Sequence, residues 1–154
     1  MKDKAEVNIN PLKLFVLSLS ASFIIGELYK FYFNLHLFIN ILGFALIILF
    51  VTIFILSVKI FVAYNEKLPP STPTFRIIKT GIYSYTRNPI YIAFVGFQLG
   101  MFLLFENIIY LISSILLFIW IHYMVVLKEE KYLEKKFGDS FVRYANNVPR
   151  WLFR

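Results

Sequence analysis

Residues 37–64 read LFINILGFALIILFVTIFILSVKIFVAY, an apolar run with a single charged side chain. The run is longer than the ~20 residues that a helix needs to cross a bilayer core. Its one charge, Lys59, lies near the end, where the aliphatic stem can carry the ammonium group to the lipid headgroups. We therefore expect a transmembrane helix whose last turns project into the polar segment that follows.

The composition extends this interpretation to the whole chain of 154 residues. Hydrophobic residues make up 59% of it and charged residues 16%, with a mean hydropathy of +0.70. Soluble domains are about 45–50% apolar and about 25% charged. Further apolar runs cover residues 12–33, 89–105 and 108–127, and short turns connect them in pairs. The sequence predicts an all-α membrane protein with about four transmembrane helices in two antiparallel hairpins.

The polar segments complete a single membrane domain over residues 1–154, with an N-terminal hairpin in 1–64 and a second half in 65–154. We expect a polar loop between the hairpins and an amphipathic C-terminal tail. Lysine and arginine concentrate at the N-terminus, in the loop and in the tail, so both termini and the loop are predicted to be cytoplasmic. The formal net charge of +7 is then explained by anionic lipid and not by nucleic acid.

Cysteine is absent, and the two histidines lie far apart in the sequence. These counts exclude a thiolate nucleophile and a cysteine metal site, and we predict no metal site.

The loop ends in TGIYSYTRNPIY, residues 80–91. Gly81 can adopt a positive φ for a tight turn, and Asn88-Pro89 is typical of a helix start, with asparagine as the N-cap. Amides after Pro89 would favour an anionic group. The alternative is an interfacial loop with an aromatic belt.

A second polar cluster, Glu129-Glu130, follows the last apolar run. The predicted hairpin brings it to the same side of the membrane as residues 80–91. Such a carboxylate pair can hold a cation or bond ribose hydroxyls. It can equally be the solvated start of a charged helix.

Several separated motifs together resemble one family. They are Gly81-Ile82-Tyr83, Arg87-Asn88-Pro89-Ile90-Tyr91, Glu129-Glu130, Phe137-Gly138 and Val148-Pro149-Arg150. In order and spacing they resemble the integral-membrane methyltransferases, namely the isoprenylcysteine carboxyl methyltransferases and the phospholipid methyltransferases. The resemblance covers roughly residues 75–150.

The resemblance implies S-adenosylmethionine bound at the cytoplasmic face under the C-terminal tail, and a lipid-like or small hydrophobic acceptor entering from the bilayer. By position, the residues expected to line the cofactor site are Phe75, Arg76, Ile77, Ile78, Tyr83, Asn88, Pro89, Tyr91 and Glu130. Glu129 falls at the position of the catalytic glutamate. Asn88 stands where many members have histidine, and Val125 stands where the carboxyl methyltransferases have arginine.

The predicted activity is thus S-adenosylmethionine-dependent methyl transfer to a hydrophobic acceptor, and the alternative is a non-enzymatic membrane scaffold or lipid-binding protein. Methyl transfer needs alignment more than covalent catalysis, which suits a chain without cysteine. Glu129 could take a proton from an amine acceptor. Arg87 could bind a phosphate, a carboxylate or lipid headgroups, whereas Arg150 is predicted to be a surface anchor.

Overall fold

The computed structural model describes residues 4–7, 9–29, 32 and 37–153. The regular elements in this part of the chain are helices. The α-helices are α1 (Pro11–Leu28), α2 (Leu37–Ala63), α3 (Pro89–Phe105), α4 (Ile108–Ile121), α5 (Leu127–Phe137) and α6 (Asp139–Asn147). A 3-10 turn occupies Gly81–Ser84, and a π-helical segment, His122–Val126, joins α4 to α5. The all-α prediction is confirmed.

Three helices are long and apolar enough to cross a membrane: Pro11–Leu28, Leu37–Ala63 and the continuous helix Ile108–Phe137. The fourth apolar helix, Pro89–Phe105, has 17 residues, which is slightly shorter than the ~20 residues of a typical span. The protein is therefore an integral membrane protein. Its first span ends at Leu28, earlier than predicted, and the predicted turn at 34–36 lies outside the residues described.

Glycines allow α2 and α3 to approach closely. A Cβ atom on Gly43 would lie 2.5 Å from the backbone nitrogen of Leu104, and one on Gly96 would collide with the ring of Phe50. Such contacts leave no room for a side chain, so the two helices pack backbone to backbone. On its other side α3 packs against α4, and α4 packs against α1. The helices therefore follow each other around the bundle as α2, α3, α4 and α1.

Polar side chains tie the helix ends that lie opposite the long loop. The amide nitrogen of Asn40 donates to Glu106 Oε1 at 2.7 Å and to the carbonyl of Leu104 at 3.1 Å. Asn107 Nδ2 donates to the carbonyl of Gly26 at 3.2 Å. Helix ends in a bilayer need partners for their polar groups, and these side chains supply them.

The π segment His122–Val126 interrupts an otherwise continuous helix. A π turn holds one residue more than an α turn, and such segments are frequent at functional sites. Val125 and Val126 in this segment are completely buried. The segment lies immediately before α5, so it sets the direction in which the side chains of α5 point.

Gly138 ends α5 with φ of +51°, a conformation in which glycine commonly terminates a helix. The chain then reverses into α6, where Phe141 and Tyr144 are buried. These two rings pack on Ile77 of the loop and on Leu133 of α5.

Candidate functional site

A cavity of about 130 Å³ lies between the long loop, the 3-10 turn, the start of α3 and helices α5 and α6. We call it the interfacial cavity. Most of the predicted site residues line it: Arg76, Ile77, Ile78, Tyr83, Asn88, Pro89, Tyr91, Glu129 and Glu130. Phe75 is the exception among the predicted residues, because its ring is 67% exposed and only its backbone N–H turns inward, to the carboxylate of Glu66.

Tyr83 is positioned by the turn that Gly81 makes possible. Gly81 has φ of +58°, a conformation that side chains disfavour, as the sequence predicted. Tyr83 is only 5% exposed, and its hydroxyl makes no hydrogen bond to any group in the described part of the chain. Burial raises the pKa of this phenol well above its ordinary value. The Ser57 hydroxyl lies nearby but donates its own hydrogen to the carbonyl of Ile53 at 2.7 Å. The hydroxyl of Tyr83 therefore stays protonated, as an unpaired donor in the cavity wall.

Tyr91 and Glu129 are joined directly. The phenol of Tyr91, in the first turn of α3, donates to Glu129 Oε2 in the first turn of α5 at 2.8 Å. Within the ranges that the structure covers, the second oxygen of Glu129 accepts no hydrogen bond. One carboxylate oxygen is thus fixed by the protein, and the other is available to a bound molecule.

Asn88 occupies the predicted position before α3 but does not act as predicted. The helix begins at Pro89, and Asn88 makes no side-chain capping bond. Its amide nitrogen instead donates to the carbonyl of Arg150 at 2.9 Å, and the hydroxyl of Thr86 accepts from its backbone N–H at 3.3 Å. The side chain therefore holds the tail over the cavity.

Glu130 differs from its neighbour Glu129 in having both oxygens bonded to arginines. Arg87 donates through Nε and Nη2 to Oε1, at 3.1 and 2.7 Å, and Arg150 donates through Nε and Nη2 to Oε2, at 3.0 and 2.6 Å. Arg87 also donates to the carbonyls of Ala145 and Val148, at 2.6 and 2.9 Å. We call these three charged residues the Glu130 clamp.

The Glu130 clamp concerns three residues singled out from the sequence. Glu130 bonds the tail, and its contact with the cofactor stays a prediction, while Arg87 engages the same tail. Arg150 is not a surface anchor, since its guanidinium is paired with Glu130, whose carboxylate raises the pKa of Arg150. The clamp thus fixes the segment that covers the cavity.

Sequence reasoning missed two further groups. Glu66 has a side chain only 2% exposed and accepts the N–H of Phe75 at 3.1 Å with each oxygen, which shapes the loop. The one sequence feature that could have indicated a role for Glu66 is that it is the only acidic residue in a basic loop. Ala5 and Val7 are buried in the core beside Tyr91, although they precede the first helix within a polar stretch that gave no such indication.

Comparison with known proteins identifies the family. The family model of the phospholipid methyltransferases matches residues 37–140, which include α2, the loop, α3, α4 and α5. The chain belongs to the phospholipid methyltransferase family.

Individual relatives extend the comparison. The chain is 36% identical over 77 residues to the protein-S-isoprenylcysteine O-methyltransferase of Schizosaccharomyces pombe, covering 47% of this chain and 31% of that protein. It is 34% identical over 73 residues to the enzyme of the same name from Saccharomyces cerevisiae, covering 47% and 30%. An uncharacterized protein of Haemophilus influenzae is 33% identical over 63 residues, which are 41% of this chain and 100% of that one.

The matched part is thus under one third of the length of the two named methyltransferases. No solved structure matches the chain.

Proposed function

We propose that the protein binds S-adenosylmethionine in the interfacial cavity and methylates a lipid-like or small hydrophobic acceptor at the cytoplasmic face of the membrane. The observation that carries the proposal is the unpaired, buried hydroxyl of Tyr83 in the same cavity as the Tyr91–Glu129 pair. A buried hydroxyl without a partner is unfavourable by about 1–3 kcal/mol, so it is best explained by a ligand that completes it. Family membership supports methyl transfer as the chemistry.

The residues of the cavity fit this cofactor. A sulfonium is a cation, and the faces of Tyr83 and Tyr91 together with the carboxylate of Glu129 are electron-rich neighbours for it. The apolar walls at Ile77 and Leu133 suit a flat nucleoside base, and the Tyr83 hydroxyl suits one of its polar atoms. When bound, S-adenosylmethionine supplies a methyl group on a good leaving group.

Glu129 is then the residue that handles the acceptor's proton. Its free oxygen can accept the proton that a neutral nucleophile must release, and general-base assistance of this kind is worth about 10²- to 10⁴-fold in rate. Tyr91 holds the other oxygen and so fixes the direction of the carboxylate. The remaining contribution of the protein is alignment and the exclusion of water by the tail, since correct orientation alone can supply ~7–11 kcal/mol.

The charges near Glu129 favour a neutral nucleophile such as an amine over a carboxylate. Val125, one turn earlier on the helix, is completely buried among apolar side chains and brings no positive charge. Arg87, which also lines the cavity, is engaged by Glu130 and by two tail carbonyls. A carboxylate acceptor beside Glu129 would be repelled unless Lys67 or Arg76, which also line the cavity, supplied its counter-ion.

The test is thermal unfolding in detergent with S-adenosylmethionine or S-adenosylhomocysteine. A ligand at about 100 times its dissociation constant should stabilise the protein by about 2.7 kcal/mol. Tyr83→Phe should reduce this stabilisation. The matched control is Tyr85→Phe in the same loop, where the ring is 78% exposed and lies outside the cavity. Folded protein that shows no shift at millimolar ligand would contradict the proposal.

Catalysis is tested separately with membranes and an isotopically labelled methyl donor. Expression of the protein should transfer label to a hydrophobic molecule that mass spectrometry identifies, and expression of Glu129→Gln should not.

A further inference from the structure

Residues 4–7, which precede α1, form part of the wall of the interfacial cavity; we call them the N-terminal strap. Ala5 lines the cavity, and both Ala5 and Val7 are buried in the core of the bundle. Lys4 and Glu6, which alternate with them, are exposed. The strap therefore turns its apolar side chains toward the site and its charged side chains toward water, and it separates the cavity from the aqueous phase.

Few interactions attach the strap to the bundle. Within the residues that the structure describes, the strap makes no hydrogen bond or ion pair, so the burial of one alanine and one valine holds it in place. That burial removes little apolar surface from water, whereas ordering the strap reduces the conformational entropy of four residues. Helix α1 has its own N-cap, because Asn10 Oδ1 accepts the N–H of Leu12 at 2.9 Å. The strap can therefore detach while α1 keeps its first turn.

The other walls of the cavity are held by hydrogen bonds. The tail is bonded through the Glu130 clamp, and the carbonyl of Pro149 also accepts the backbone N–H of Arg87 at 3.0 Å. The long loop is held by the buried carboxylate of Glu66, which accepts the N–H of Phe75. Opening either of these walls breaks several polar contacts, whereas opening the strap breaks only apolar ones. The strap is therefore the wall whose opening costs the least free energy.

We propose that the N-terminal strap is the gate of the interfacial cavity: it detaches while the tail stays in place, and the opening connects the cavity with the aqueous phase. The exposed charges of the strap lie on the side from which a water-soluble molecule arrives. The molecules that pass are then S-adenosylmethionine and its demethylated product. This assignment of the molecules rests on the proposed function, whereas the opening itself does not.

The absence of cysteine from the chain allows a direct test by thiol labelling. Single cysteines are introduced, and the protein in phosphatidylcholine nanodiscs is treated with a charged maleimide. Ala5→Cys, at a position that is 2% exposed, should be labelled about 10- to 1,000-fold more slowly than Glu6→Cys, at an exposed position. It should still be labelled at least about tenfold faster than Ser114→Cys, which lies 1% exposed within the helical bundle.

Two further variants compare the strap with the tail and weaken the strap. Val148→Cys, at a tail position that is 8% exposed, should be labelled at least about tenfold more slowly than Ala5→Cys. Val7→Ala removes buried methyl groups, so in the Ala5→Cys background it should accelerate labelling about tenfold. Ile9→Ala, at a position that is 47% exposed, is the matched control and should leave the labelling rate unchanged.

Labelling of Ala5→Cys at the rate of either Glu6→Cys or Ser114→Cys overturns the proposal, because the strap would then be always open or always closed. Labelling of Val148→Cys as fast as that of Ala5→Cys also overturns it, because the tail would be the moving wall. A labelling rate that Val7→Ala does not raise overturns it as well.

The binding kinetics of S-adenosylhomocysteine separate the gate from the proposed function. Val7 does not line the cavity, so Val7→Ala should raise the association and dissociation rate constants together, about tenfold, and leave the dissociation constant unchanged. Unchanged rate constants in a variant that binds overturn the gate and leave methyl transfer standing. Labelling as predicted, in a protein that does not bind S-adenosylhomocysteine, supports the gate and counts against the proposed function.

Discussion

Replacing Glu130 by alanine should release the C-terminal tail while the transmembrane bundle stays folded. The substitution removes the acceptor of four N–H bonds from Arg87 and Arg150. The side chain of Arg87 is only 10% exposed, so its guanidinium would be left in a poorly hydrated place with two tail carbonyls and no counter-charge. The helical contacts of α1 to α4 do not involve this group.

The stability lost in Glu130→Ala depends on how deeply the ion pairs of Glu130 are buried. Removing one partner of a fully buried ion pair is destabilising by about 3–5 kcal/mol. Here the side chains of Glu130 and Arg150 are 15% and 36% exposed, and water partly replaces the lost bonds. We therefore expect a loss of about 2–3 kcal/mol, which corresponds to local opening about 30- to 150-fold more often.

Hydrogen exchange read by mass spectrometry measures this opening directly. Peptides within residues 139–153 should exchange about 30- to 150-fold faster in Glu130→Ala and faster by a smaller factor in Glu130→Gln. Their exchange should be unchanged in Glu134→Gln, whose side chain is exposed one turn further along α5. Peptides from α2 and α3 should not respond. Equal tail exchange in Glu130→Ala and Glu134→Gln would show that the clamp does not hold the tail.

Three further predictions concern other parts of the protein. Glu129→Gln should lower kcat by about 10²- to 10⁴-fold with S-adenosylhomocysteine binding retained, as single-turnover kinetics and thermal shift would show; a fall in binding alone would contradict the assigned role. Gly43→Ala should destabilise the α2–α3 contact by at least about 1–3 kcal/mol in detergent unfolding, whereas Ala45→Val on an exposed face should be neutral. Burial raises the pKa of Tyr144, whose phenol donates to a loop carbonyl at 2.7 Å. The stabilisation from this group should be fully present below pH ~10, the pKa of an unfolded tyrosine, and should be lost progressively as the pH rises toward the raised pKa of the folded state. Hydrogen exchange of the tail measured against pH would reveal the loss, and Tyr144→Phe would abolish this pH dependence.

Much of the fold could be predicted because it depends on local properties of the sequence. Length and hydropathy identify the apolar helices, and Gly81, Pro89 and Gly138 mark a turn, a helix start and a helix end through their own backbone preferences. Tyr91 and Glu129 could be expected on the same side because a short turn separates their helices.

The remaining features depend on tertiary packing. Glu129 and Glu130 are adjacent and chemically identical, so only the rotation of α5 decides that one meets Tyr91 and the other meets two arginines. α1 packs on α4 and not on α2, its neighbour in sequence. This choice depends on shape complementarity, which the uniformly apolar sequences of these helices do not reveal. Arg150 looked like a membrane anchor because its partner lies on another element.

The π segment at His122–Val126 has a consequence for how the protein family can change. In a regular α-helix each residue advances by ~100° around the axis, so loss of a single codon in α5 before Glu129 would turn that side chain away from Tyr91. A π turn holds one residue more than an α turn, so loss of a single codon within 122–126 would convert this segment to α-helix and leave α5 facing the same way. The segment can therefore gain or lose one residue without displacing Glu129, and alignments of relatives should admit a one-residue gap within 122–126.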